Sequence, residues 1–212
     1  MADKQGQFGI IAIIIFSILL VTSCDNDRAY NSVNVKTDGV VNDVLNSGNA
    51  DPESPVDVEW PMHGRDNEEQ RFSPLTLVND QNVDELGLAW SYSLGTYRGL
   101  EATPIIVDGR MYVTGNWGVV HAVDAATGKM LWVFNPEVPG YWGRYGCCDA
   151  VNRGVAVWQN KVFVASFDGR MFALDAATGE VEWEVDTINK QPPYTITGAP
   201  RVVKGKVLIG NG

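Results

Sequence analysis

Two cysteines stand side by side at positions 147 and 148, inside the stretch Tyr141-Trp-Gly-Arg-Tyr-Gly-Cys-Cys-Asp-Ala-Val-Asn-Arg-Gly154. Adjacent cysteines make poor structural staples, because a bridge between neighbours closes a very small ring and removes almost no chain entropy. Two readings of the pair follow from its chemistry. If oxidised, it forms a rigid, flat, sulfur-faced surface; if reduced, it is two small apolar side chains packed in a glycine-rich, aromatic loop. Arg153 follows shortly after and adds a fixed positive charge with a planar hydrogen-bonding fork. His63 stands alone in a turn-rich stretch and reads as structural rather than as a ligand.

The elements that must position these residues come from an internal repeat. Arg110 to Trp132 and Lys161 to Trp183 align without a gap at an offset of 51 residues, and both carry Ala-x-Asp-x-x-Thr-Gly-x-x-x-Trp. Glycine- or asparagine-bearing turns cut each copy into short strands: Asp108-Gly109, Asn116-Trp-Gly118 and Ala126-Thr-Gly128 in the first, Gln159-Asn160, Asp168-Gly169 and Ala177-Thr-Gly179 in the second. Thr103 to Val107 and Gly154 to Trp158 supply a leading strand to each unit, and a third unit begins at Thr197 with two strands. Four antiparallel strands repeated at this period predict an all-β fold, a β-propeller of about two and a half blades here. Trp132 and Trp183 then pack between blades. Leu88 to Leu94 alternates, and Trp90 on it is expected to be the outer strand of a closing blade. Asn82 to Leu86 suits a short helical turn.

The repeat register also places the polar residues. Glu101, Asn152 with its neighbour Arg153, and Thr197 each precede the first strand of a unit. First strands are innermost in a propeller, so these residues are expected to ring one mouth of the central channel. The long loop Asn135 to Asn152 delivers Cys147 and Cys148 to the same mouth.

The whole chain has 212 residues, a formal net charge of -10 and 3 cysteines. The acidic balance argues against nucleic acid as a partner. Phe8 to Val21 is an apolar run of signal-peptide length, followed by Val21-Thr-Ser-Cys24, which resembles a bacterial lipobox. Val21 stands where leucine is more usual, and Asp3 offsets the charge of Lys4. The expectation is a lipoprotein signal over 1–24, lipid on Cys24 and a disordered tether over 25–59; an uncleaved anchor with an incidental cysteine is the alternative. Export would place Cys147 and Cys148 where disulfides persist.

Taken together, Gly99-Leu-Glu-Ala-Thr-Pro104, Gly146-Cys-Cys-Asp-Ala-Val-Asn-Arg-Gly154, Tyr194-Thr-Ile-Thr-Gly-Ala-Pro200 and the two tryptophan motifs resemble the amino-terminal part of the pyrroloquinoline quinone (PQQ)-dependent alcohol dehydrogenases, bacterial quinoproteins. The resemblance covers Trp60 to Gly212. It implies an eight-bladed propeller holding PQQ and a Ca²⁺ ion, with Cys147 and Cys148 joined as a vicinal disulfide over one PQQ face. It further implies PQQ contacts from Glu101, Arg153 and Thr197, with Glu101 charge-balanced by Arg153. It implies a small alcohol substrate and electrons passed to a cytochrome or membrane acceptor, and the lipobox-like Val21-Thr-Ser-Cys24 adds the expectation of a periplasmic, membrane-anchored lipoprotein. The calcium ligands and catalytic base are expected after Gly212, the presence of a haem domain is left open, and this chain alone is expected to be inactive. Two other readings remain: a lipid-anchored propeller scaffold for outer-membrane protein assembly, and a PQQ-dependent sugar dehydrogenase.

Overall fold

The computed structural model describes residues 59–191 and 193–212. The expected signal peptide, Cys24 and the tether over 25–58 lie outside the described residues. Glu59, the last residue of the expected tether, is described: its carboxylate accepts the Asp108 N–H at 2.7 Å. Trp60 then exchanges two main-chain hydrogen bonds with Ile106, at 3.2 and 2.9 Å. The folded part therefore opens by pairing with the first inner strand.

Two four-stranded antiparallel sheets and one hairpin follow in chain order. The first sheet is β1 (Ile105–Val107), β2 (Arg110–Thr114), β3 (Val120–Asp124) and β4 (Met130–Phe134). The second is β5 (Ala156–Trp158), β6 (Lys161–Ala165), β7 (Arg170–Asp175) and β8 (Val181–Asp186), and the hairpin is β9 (Arg201–Val203) with β10 (Lys206–Leu208). Each sheet keeps sequence order, and β1, β5 and β9 are neighbours, so they are the inner strands of successive propeller blades. A short 3-10 turn covers Val83–Glu85, where the sequence suggested a helical turn. The β1–β2 and β5–β6 hairpins turn through left-handed pairs, Asp108-Gly109 and Gln159-Asn160, the geometry that matches strand twist.

The core lies between blades. Ile105, Tyr112, Val120 and Ala122 of the first sheet meet Val162, Val164, Phe172 and Leu174 of the second. Phe163, Ala165, Met171 and Ala173 carry the second sheet onto the third unit through Val202 and Val207. The second sheet buries apolar side chains on both faces, so its packing depends on the blades that flank it.

The repeated motif explains how blades are joined. In the second blade the Asp175 carboxylate accepts the N–H groups of Ala177 and Thr178 at 2.9 and 2.8 Å, shaping the turn. The carbonyl of Ala176 in that turn accepts the Trp132 indole N–H at 3.2 Å and the Tyr112 hydroxyl at 3.0 Å. The indole lies so close that a Cβ on Gly179 would sit 2.6 Å from it. Trp132, on the outer strand of one blade, thus docks in the turn of the next. Trp90 does the same to the first blade, donating to the Ala125 carbonyl at 3.2 Å over Gly128. Trp90 therefore occupies the outer-strand position, and residues 88–94 run beside the first blade without a ladder partner among the described residues, as an outer strand does when the rest of its blade is not among them. The leading strands begin two residues later than the alternation suggested. Pro104 lacks an N–H, and Thr103 donates to the Arg153 carbonyl of the next blade instead of to its own sheet.

Candidate cofactor site

The loop bearing the cysteines is fastened at its start, middle and end. At the start, Arg170 binds the buried Asp168 carboxylate through Nε at 2.9 and 3.1 Å and donates from Nη2 to the Pro136 carbonyl at 2.6 Å. In the middle, a 3-10 turn over Gly140–Tyr145 buries Trp142 against Ala150 and Phe167. Gly146 rests on the Phe167 ring, where an added Cβ would lie 2.4 Å from Cζ, so only glycine lets the chain pass this close. At the end, Asn152 is buried, donating from Nδ2 to the Ala165 carbonyl at 2.8 Å and accepting the Gly154 N–H at 3.0 Å. This corrects one expectation: Asn152 is an internal pin, and the residue that reaches the rim is Arg153.

Cys147 and Cys148 are joined by a disulfide. They border an open cavity of about 490 Å³ together with Arg153, Thr195 and Thr197. Gly198, Gly210 and Gly212 line its floor with bare main chain. Arg153 is the hub of the rim. Its Nη2 lies 2.7 Å from the Glu101 carboxylate, and its Nη1 donates to the Thr197 hydroxyl at 2.7 Å and to the Thr197 carbonyl at 3.3 Å. Its main-chain N–H also donates to the Thr197 carbonyl, at 3.0 Å. Residues from three successive blade units therefore converge on one mouth. Glu101 reaches this mouth through Arg153 and does not itself line the cavity. Arg153 also borders a second cavity of about 330 Å³ between Pro61–Asn67 and strands β5 and β9.

Beside the disulfide, Asp149 is ion-paired with Arg98, three residues before Glu101. The Ala150 N–H, with Arg98 in support, holds the Asp149 carboxyl below the usual carboxylate range. The pairs Arg98–Asp149 and Glu101–Arg153 run in the same direction, tying two neighbouring chain segments along the rim. Neither this pair nor Thr195 was singled out from sequence. Thr195 lies two residues before Thr197, a spacing that returns a side chain to the same face of an extended segment.

The arrangement can take a flat ligand that presents a hydrogen-bond acceptor to the guanidinium. Arg153 has five N–H donors and keeps some beyond those used by Glu101 and Thr197, Thr197 offers a hydroxyl, and the disulfide gives a flat apolar wall. Among the described residues no group of three or more His, Cys, Asp or Glu is placed to hold a metal ion.

Two four-stranded antiparallel sheets and a hairpin, each in sequence order with its first strand beside the next unit's, define the class as part of a β-propeller. The family described as PQQ glucose/ethanol/alcohol dehydrogenase, β-propeller domain, matches residues 60–211, and the chain belongs to it. The chain is 59% identical over 155 residues to a 1-butanol dehydrogenase (cytochrome c) of Thauera butanivorans, covering 73% of this chain and 22% of that protein. It is 54% identical to the dehydrogenase subunit of an alcohol dehydrogenase (quinone) of Gluconobacter oxydans, with 73% and 21% covered. The crystal structure of the quinohemoprotein alcohol dehydrogenase of Comamonas testosteroni superposes with a TM-score of 0.70 at 54% identity, over 73% of this chain and 23% of that one. The chain spans about a fifth to a quarter of the length of the curated relatives it matches.

Proposed function

We propose that this chain is the amino-terminal portion of a PQQ-dependent alcohol dehydrogenase. The observation that carries the reading is the convergence of the Cys147–Cys148 disulfide, Arg153, Glu101 and Thr197 on one mouth in a chain with this family membership. PQQ, when bound, supplies the two-electron acceptor for alcohol oxidation. The residues of this chain do the holding. Arg153 binds a carboxylate of the cofactor through charge-assisted hydrogen bonds, and Thr197 adds a neutral one. Glu101 orients the guanidinium, and its negative charge beside an anionic ligand is balanced by that same contact. The disulfide forms a wall that keeps water from one face of the cofactor. Calcium belongs to the family expectation; the described residues offer it no ligand set, and no step here runs through it.

The names of the relatives support an alcohol rather than a sugar as substrate, and they support a cytochrome or a quinone as acceptor. The lipobox-like Val21-Thr-Ser-Cys24 supports export to the bacterial periplasm with a lipid anchor on Cys24. The test uses the full-length protein, stripped of cofactor and titrated with PQQ in the presence of Ca²⁺. Arg153→Ala should weaken PQQ binding by about a hundredfold and Arg153→Lys by about tenfold, the scale of hydrogen bonds to a charged group. Wild-type affinity in Arg153→Ala would overturn the reading. Turnover of primary alcohols well above that of glucose is expected, and mass spectrometry of the mature amino terminus should find an acylated Cys24. An intact Met1 would sink the anchor.

A further inference from the structure

The internal repeat is broken at one turn. The 51-residue register sets Asn116 against Phe167 and Trp117 against Asp168. In the second blade Asp168-Gly169 makes an ordinary tight turn. In the first, Trp117 takes φ 67, a conformation that bulky L residues rarely enter. What this turn holds accounts for its departure. The Asn116 amide donates to the Gly99 carbonyl at 3.0 Å and accepts the Thr96 hydroxyl at 2.7 Å, fixing the segment that leads to Glu101. The Trp117 N–H donates to the Ala150 carbonyl at 2.8 Å, fixing the segment that follows the disulfide. The Arg98 guanidinium lies 5.6 Å above the Trp117 ring and pairs with Asp149, the residue after Cys148.

We propose that Arg98, stacked on Trp117 and paired with Asp149, is a positioning residue that sets the angle of the Cys147–Cys148 disulfide relative to the Arg153–Glu101 pair. The proposal rests on the cofactor reading of that mouth. Asp149 has φ 76, and its carboxylate also accepts the Ala150 N–H at 2.7 Å. Arg98 therefore grips the one left-handed residue at which the chain turns away from the disulfide. Without that grip, the peptide after Cys148 is held only from Ala150 onward, and the sulfur wall can tilt. An exposed ion pair contributes little to global stability, so the effect belongs on the site rather than on melting.

The experiment compares wild type, Asp149→Asn, Arg98→Ala and Arg98→Lys in the full-length protein. Asparagine tolerates a left-handed φ and still accepts the Ala150 N–H, so Asp149→Asn removes the charge and leaves the fold. Asp149→Asn and Arg98→Ala should weaken PQQ binding by about tenfold, the scale of contacts one layer behind a site. They should also speed reduction of the disulfide by dithiothreitol in the cofactor-free protein several-fold, with the melting temperature unchanged. Arg98→Lys, which keeps the ion pair, should stay near wild type in both. The proposal is overturned if Asp149→Asn and Arg98→Ala match wild type in affinity and in reduction rate. It is equally overturned if melting temperature falls in step with affinity and Arg98→Lys does no better than alanine. Should the wild type itself take up no PQQ, the cofactor reading fails, while the reduction rates still decide the clamp.

Discussion

Arg153 holds a carboxylate and a threonine on neighbouring blades while its main chain joins both, so charge and backbone at the rim are set by one residue. His121 illustrates the opposite case, a titratable group the site does not use. It is 7% exposed, its Nδ1 lies 3.0 Å from the Tyr92 hydroxyl, and among the described residues its Nε2 has no hydrogen-bond partner. Burial holds its pKa below the usual 6.5. As pH falls, the unfolded chain takes up the proton first, so stability is present above 6.5 and is lost progressively below it. The thermal midpoint of the wild type should fall between about pH 7.5 and about pH 5.5 by more than that of His121→Gln. Parallel pH profiles for the two proteins would show that the imidazole carries no such linkage.

At the scale of elements, the docking of each tryptophan in the next blade's turn is the contact with least tolerance. Gly179→Ala would bring a Cβ to within 2.6 Å of the Trp132 indole at φ 75, where an L side chain is already strained. It should lower stability by about 1–3 kcal/mol, read from denaturant unfolding. Gly109→Ala, where a Cβ meets no atom, isolates the backbone part of that cost. These turns were legible in the sequence because a glycine and a tryptophan at fixed spacing return 51 residues apart, and the same spacing exposed the inner strands and the rim. Other features were not legible. Asn152 was aligned with Glu101 and Thr197, yet it turns inward, because register identifies a position and not the rotamer that satisfies the Ala165 carbonyl. The seat of the disulfide loop on Trp142 and Phe167 joins residues far apart in sequence by packing alone, which no local pattern reports.

At the scale of the whole molecule, blades are stable in company. Trp183 on β8 is 37% exposed among the described residues, whereas Trp132, its counterpart on β4, is 8% exposed beneath the second blade. A polypeptide of residues 60–212 alone should therefore bind PQQ far more weakly than the full-length protein and turn over no alcohol. Dye reduction by this piece at the full-length rate would show that the chemistry is misplaced. The tryptophan latches also fix an order in time. Trp90 precedes the first blade that receives it, and Trp132 precedes the second. As the chain emerges from the ribosome, each new blade finds its anchor already made. Assembly can then advance blade by blade behind synthesis, and apolar faces wait for a partner only as long as it takes to make one more blade.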